Sequence, residues 1–469
     1  MRDASRDGLV WDSSGLDVEP RWAREPNIAA IERVCRRHLN ADDCAVFFHT
    51  AGAFNKLYLV DTSSRGRFMM RVSLPVDPHN KTRGEVQTLQ LVQRQTDIPV
   101  PKVVAFDDTS DNDIGFEWIL MQLMPGRPVY YRWRRMTMQQ KELLVSRVVD
   151  FQAQLYRLGS GSSSSSRSSH RETLRTIGTL HQQSNPLQPG QIVHPIFFSG
   201  AHYHYTISRG PFRSSHDWLR AYLTIIIKEH TTALAECRSA EEDEDDREYA
   251  EGVLRVARKL LRLLHKIFPA MVHPAEPTVL WHDDLSLMNI MVDDDDRGNV
   301  KVTAVIDWEC VSTMPLWVAS QMPEFLRGAV RETRPDRNCY TDVSDKGSDG
   351  GGGEYIGQGL EDSLDNEGKT ELYWIHLMEY EQTQLRKVYS ARMRRLRPGW
   401  DMEVSEGALK VDFLGAVSRC GAGFYIRRIE QWVDAIERKE FLGLMEVLRV
   451  GIRKEKPATA GVTGVSGGM

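Results

Sequence analysis

The residues best suited to chemistry lie in one stretch, Trp281-His282-Asp283-Asp284-Leu285-Ser286-Leu287-Met288-Asn289-Ile290, followed by Val305-Ile306-Asp307-Trp308-Glu309. Asp284 and Asn289 are five residues apart, and Asp307 comes eighteen residues after Asn289. Between them, residues 290–292 and 300–306 read as two strands of a hairpin around an acidic turn that contains a glycine. Such a hairpin can bring both of its ends to one place. Phosphoryl transfer calls for a set of this kind: a carboxylate to orient and deprotonate an attacking hydroxyl, and oxygen ligands for Mg2+. An amide beside a carboxylate adds metal-binding oxygen without adding negative charge next to phosphates. An ordinary hairpin with polar ends would explain either motif alone, and the two together at this spacing weigh against it.

The elements that must position these residues are legible on both sides. Residues 44–48, 56–61 and 67–73 are short β-rich runs separated by turn residues, which predicts an antiparallel sheet. Residues 81–95 have helical spacing, with Val86, Leu89 and Val92 on one side, and 103–105 and 116–121 supply two more apolar strands. Beyond Pro125-Gly126 long helices are expected at 138–156, 216–235, 249–268, 371–395 and 425–437, with the 290–306 hairpin as the one strand-like interruption. A strand-rich first part and a helix-rich second part predict an α+β chain of two lobes. The 469-residue length also favours two cores over one. The expected layout is an extension at 1–40, a first lobe at 41–123 and a helical lobe at 124–455. Flexible insertions are expected at 158–170, 239–247 and 335–366, and a disordered tail at 456–469, from their Ser, Gly and acidic content.

H-x-D-L-x-x-x-N followed by I-D-W resembles the catalytic loop and metal-binding motif of the aminoglycoside phosphotransferase and choline kinase family, which shares the protein kinase-like fold. The resemblance covers roughly residues 44–330. It implies a bilobal fold with a small antiparallel-sheet lobe and a larger helical lobe, ATP and Mg2+ as cofactors, and a small-molecule hydroxyl as acceptor. It makes Asp284 the catalytic base, Asn289 and Asp307 the metal ligands, and His282 a brace for the loop. Residues 49–55 occupy the place of the nucleotide-covering loop, with Gly52 as their one glycine and Asn55 at their end. Arg71 stands where kinases carry the lysine that holds the α- and β-phosphates, and Glu85 on the next helix is its candidate partner. Gln122 to Met124 resembles the hinge whose backbone meets adenine. The segments after Asp307, Pro315-Leu316-Trp317 and Pro323-Glu324-Phe325-Leu326, resemble fungal members, a few of which are associated with mitochondria.

Arg71 and the sparse-glycine loop depart from the family pattern, because a guanidinium fork is not interchangeable with an ammonium. A catalytically silent nucleotide- or partner-binding module is therefore the rival reading, and intact Asp284, Asn289 and Asp307 oppose it. A protein kinase is the third reading, and no DFG, APE or activation-segment pattern follows Asp307 to support it. Glu309 is read either as facing a cationic substrate or as a hydrogen-bonded structural glutamate. Asp293 to Asp296 is read as a solvated turn, and the G-x-S-x-G match at residues 464–468 as chance, since no helix can follow it. Residues 255–266 alternate Leu with Arg and Lys, an amphipathic packing pattern.

Bulk properties exclude several classes. A net charge of −5 and a pI near 6.3 give no global attraction to nucleic acid or anionic lipid. The six scattered cysteines form no CxxC pair, which opposes a zinc site or disulfide framework and fits a reducing compartment. No run of 18 or more apolar residues occurs, and the first 20 residues carry five acids. A cytoplasmic address is expected, with a mitochondrial one as the alternative. The sequence leaves the acceptor, the choice between ATP and GTP, and the oligomeric state open.

Overall fold

Strand alternation and helix caps account for the first lobe. The computed structural model describes residues 4–15, 18–159, 174–181, 187–237, 244–269, 276–294, 299–340 and 371–450. The expected insertions lie largely, and the expected tail wholly, outside these residues. A hairpin of β1 (Leu9–Asp12) and β2 (Glu19–Trp22) precedes α1 (Ile28–Leu39). Asn27 caps α1 by accepting a hydrogen bond from Ala30 N, and Asn40 ends it in the left-handed region at φ 49°.

Five strands follow: β3 (Ala45–Ala51), β4 (Asn55–Thr62), β5 (Gly66–Ser73), β6 (Val103–Asp107) and β7 (Glu117–Gln122). They form one antiparallel sheet in the order β3-β4-β5-β7-β6. The central strand β5 is covered on both faces. Met70 and Val72 point into a core shared with Tyr58, Val60 and the α1 residues Ile31, Val34 and Cys35. By the period of two, Arg71 and Ser73 face the other way. There α2 (Asn80–Gln95) packs, buried on nearly every side, with Leu89 and Val92 reaching the core of the second lobe. The sheet thus presents one polar row, Arg71 and Ser73, toward the junction between the lobes.

The second lobe is mostly helical. It contains the short strand β8 (Arg127–Pro128), α3 (Met138–Gly159), two more strands β9 (Gly178–His181) and β10 (Gln188–Pro189), the one-turn helix α4 (Pro195–Phe198), α5 (Ser215–Glu236) and α6 (Glu244–Ile267). Then come β11 (Thr278–Trp281), β12 (Ile290–Asp294), β13 (Val300–Val305), β14 (Ser312–Pro315) and α7 (Leu316–Ala319). The chain closes with α8 (Glu371–Leu396), α9 (Trp400–Arg419), α10 (Ile426–Glu437) and α11 (Leu444–Val450). In α6 the buried residues Val253, Val256, Ala257, Leu260 and Leu264 recur at three and four, forming the stripe that packs on α5 and α10. The basic residues between them lie off that stripe, as the amphipathic pattern implied.

The 290–306 hairpin forms as expected, but it is not the one interruption of the helices. A four-stranded antiparallel sheet, β10-β9-β14-β11, lies beside it, and β8 adds a third strand to the hairpin. These strands have two to four residues each, and β9 pairs with β14 and β8 with β12 across more than a hundred residues of sequence, so no local pattern announces them. All six cysteines are unpaired. Among the described residues no helix is long and apolar enough to cross a membrane.

Candidate active site

Strand β11 ends at Trp281, β12 begins at Ile290, and the loop between them is pinned from below. Leu285 and Leu287 are buried, Tyr130 N donates to the Leu287 carbonyl at 3.0 Å, and Asn289 N donates to that of Ser286 at 3.2 Å. With the leucines held inward, Asp283, Asp284 and Met288 are turned to the surface. Asn289 is buried, and its Nδ2 donates to both the Asp284 carbonyl oxygen, at 3.0 Å, and Asp284 Oδ2, at 2.7 Å. The amide therefore fixes the carboxylate's rotamer and turns its own Oδ1 away as the oxygen left for another ligand. His282 is buried, its Nε2 lies 3.1 Å from the Ile306 carbonyl, and its ring stands edge-on to Trp308 at 4.7 Å. Burial lowers its pKa, so the imidazole is neutral, donates from Nε2, and braces the loop against the far end of the hairpin.

That far end is equally constrained. Val305 N donates to the Pro99 carbonyl at 2.8 Å and Ile306 N to that of Asn289 at 2.9 Å. The next residue, Asp307, has φ 65°, a conformation that costs a non-glycine residue about 1–3 kcal/mol and survives because its surroundings determine it. Trp308 is buried, with Nε1 donating to the Val305 carbonyl at 2.9 Å, which locks the turn. The hairpin thus holds the Asp284–Asn289 pair at one end and Asp307 at the other, joined by the Ile306–Asn289 bond.

Across the junction the polar row of β5 meets this motif. Arg71 Nη1 lies 2.7 Å from Glu85 Oε1, and its Nη2 lies 3.2 Å from Asp307 Oδ1 and 2.6 Å from Glu309 Oε2. The same Glu309 oxygen is 2.7 Å from Lys81 Nζ and accepts from Asn55 Nδ2 at 2.8 Å. Lys81 Nζ and Ser73 Oγ both donate to Asn55 Oδ1 at 2.8 Å. Against the cost of burial, the charges of Arg71 and Lys81 hold Glu309 down at about 2. Burial pushes Glu85 up to about 7, with Arg71 opposing, and burial and Glu309 raise Asp307. Removing one partner from such a buried set costs roughly 3–5 kcal/mol, because a charge is left uncompensated. Glu309 therefore takes the hydrogen-bonded alternative and faces protein cations.

The structure brings Arg71, Glu85, Asn55 and Asp307 into one cluster, and His282, Asp284 and Asn289 into the loop tied to it. Gly52 sits at the exposed tip of the β3–β4 turn, where its N donates to the Asn55 carbonyl at 2.9 Å and the space for a Cβ is open. Gln122, exposed, and Met124, half-buried, lie at the end of β7, with Gln122 N donating to the Lys102 carbonyl at 2.9 Å. Pro125 and Gly126 follow, fastened to the hairpin by Thr303 Oγ1, which donates to the Pro125 carbonyl at 2.7 Å. Of the acidic turn, Asp294 pairs with Arg132 at 2.7 Å, and Asp295 and Asp296 lie outside the described residues.

Sequence reasoning missed three residues. Lys81 precedes Glu85 by one helical turn, a spacing that puts both on one face and could have drawn attention. Ser73 follows Arg71 on the same face of β5. Glu324, 40 residues after Asp284, lies beside it, and burial together with a hydrogen bond to Asp284 raises its pKa. No local signal links that pair.

Asp307 and the free Oδ1 of Asn289 fit Mg2+, which takes one or two protein oxygens and completes its shell with water and phosphate. Among the described residues no group of three or more His, Cys, Asp or Glu is arranged to hold a metal. The sequence is similar to the Subtelomeric hrmA-associated cluster protein of Aspergillus fumigatus, 24% identical over 317 residues, which cover 58% of this chain and 59% of that protein. The chain thus spans 59% of the length of that curated relative. It is also similar to the Altered inheritance of mitochondria protein 9 of Eremothecium gossypii, 29% identical over 90 residues, 18% of this chain and 14% of that one. Among solved structures, a macrolide 2'-phosphotransferase from Brachybacterium faecium matches with TM-score 0.35 and 13% identity, over 92% of this chain and 98% of that one. The sequence pattern of the phosphotransferase enzyme family matches residues 48–318, more than half of the chain, and the protein belongs to that family.

Proposed function

We propose that the chain transfers the γ-phosphate of ATP to a hydroxyl of a small molecule. One observation carries the reading: a buried cation paired with a helix glutamate reaches the candidate metal aspartate across the two lobes, Arg71 Nη2 to Asp307 Oδ1 at 3.2 Å. A nucleotide bound between the lobes would have its phosphates at that junction. Asp307 and Asn289 Oδ1 would hold Mg2+, which when bound neutralises phosphate charge. Asp284, exposed and held in one rotamer by Asn289, orients the acceptor hydroxyl and takes its proton as the oxygen–phosphorus bond forms. Glu324 beside it helps to set the local charge. The backbone of Gln122 to Met124 would receive the base, and the turn carrying Gly52 would cover the phosphates.

Asp284→Asn keeps the hydrogen-bonding shape and removes the base, so ADP release with a panel of amino-alcohol, sugar and aminoglycoside acceptors is the test. The wild type should turn over on at least one acceptor, and the variant should be slower by about a hundredfold or more. Equal rates in the two proteins would contradict the assignment. The occupation of Arg71 by Glu85, Asp307 and Glu309 favours a second reading, a module that binds nucleotide without transfer. Nucleotide binding with no ADP release on any acceptor would select it.

A further inference from the structure

We propose that Lys81 is a positioning residue for the nucleotide phosphates, a buried ammonium that acts through Asn55 and Glu309 to hold the covering turn and the Arg71 fork in register with Asp307. The proposal rests on reading this junction as a nucleotide site. Lys81 is 1% exposed, so it has no surface of its own to offer a ligand. A lysine buried this deeply is stable when its donors are matched. Its partners come from three separate parts of the fold: Asn55 Oδ1 at 2.8 Å from β4, Ser73 Oγ at 3.4 Å from β5, and Glu309 Oε2 at 2.7 Å from the segment after the metal motif.

Each partner leads to a functional element. Asn55 accepts from Gly52 N through its backbone and donates to Glu309 through its side chain, so a fixed Asn55 closes the turn that carries Gly52. Glu309 takes Arg71 Nη2 on the same oxygen that takes Lys81. The cluster holds two cations, Arg71 and Lys81, against three carboxylates, Glu85, Asp307 and Glu309. Without Lys81 one cation would face three carboxylates, and Asn55 Oδ1 would keep Ser73 alone. Both changes act in one direction, making the junction more repulsive to phosphate and loosening the turn above it.

The test is calorimetric titration of the full chain and of Lys81→Met with Mg·ATP and, separately, with adenosine, which has no phosphate. The proposal predicts Mg·ATP binding weaker by about tenfold or more with adenosine affinity little changed. Faster amide hydrogen exchange over residues 49–56 should accompany it. Unchanged Mg·ATP affinity would overturn the proposal. So would equal weakening of both ligands, which is what mere displacement of α2 would cause. Should Lys81→Met not fold, Lys81→Met/Glu309→Gln removes both members of the pair. The net charge of the cluster is then unchanged and only the hold on Asn55 is lost, so a smaller selective loss is expected, and wild-type Mg·ATP affinity in the double variant would overturn the role. A wild type that binds neither ligand overturns the function proposed above and this inference with it, whereas wild-type binding with an unaffected variant overturns Lys81 alone.

Discussion

Glu117 illustrates how the surroundings of single residues are set in this junction. It is buried at the start of β7, accepts from His79 N at 2.7 Å, and burial lifts its carboxyl to about 7 even with Lys81 nearby. In the unfolded chain its ordinary value is 4.5. Between about 4.5 and 7 the folded chain holds a proton that the unfolded chain has lost. The stabilising contribution is therefore full below that window and disappears as pH rises through about 7. Glu117→Gln copies the protonated form and removes the titration. Thermal melts should show little difference from wild type at pH 5 and a higher midpoint for the variant at pH 8, worth up to about 3 kcal/mol. The same difference at both pH values would contradict a buried carboxyl of raised pKa. Glu309 shows the opposite case, since three donors on one oxygen keep it ionised throughout that range.

At the scale of elements, the hairpin of β12 and β13 is the part that must not move. It carries both ends of the site, and the chain leaving β7 is stitched to it at Pro125 and Gly126. Gly126 has φ 94°, and a Cβ there would meet the Val292 carbonyl oxygen at 2.4 Å and Thr303 Oγ1 at 2.7 Å. Both the backbone region and the contact exclude a side chain. Gly126→Ala should lower stability by about 1–3 kcal/mol and shift the hairpin, measured as a lower melting midpoint with weaker nucleotide binding. A variant with an unchanged midpoint would contradict the close packing.

Much of this architecture was legible in the sequence. Short β-rich runs between turn residues announced the strands of the first lobe, helical spacing announced α2, and α3, α5, α6, α8 and α10 fall in the stretches expected to be long helices. The two motifs with their hairpin place Asp284 and Asn289 at one end and Asp307 at the other, as the structure has them. Other features were hidden for physical reasons. Helix α9 buries few residues and carries Gly407 and Gly415 in its interior, so its periodicity is weak. Residues 1–40, read as an extension, contribute α1 to the core of the first sheet, a non-local packing that composition does not reveal. The burial of Lys81 depends on Asn55 and Glu309, which are far from it in sequence, so no local pattern reveals it.

At the scale of the whole molecule, the two lobes have separate cores, with α2 contributing to the larger one. They meet in a polar contact through Arg71, Asp307 and Glu309, where the proposed nucleotide would bridge them. A ligand that binds the folded form at about 100 times its dissociation constant stabilises it by roughly 2.7 kcal/mol. The most direct test of the central claim is therefore a thermal-shift titration of wild type and Asp307→Ala with ATP and GTP, with and without Mg2+. A Mg2+-dependent rise in the wild-type midpoint that Asp307→Ala abolishes is expected if that claim holds. No shift with either nucleotide, or an equal shift in the variant, would contradict it.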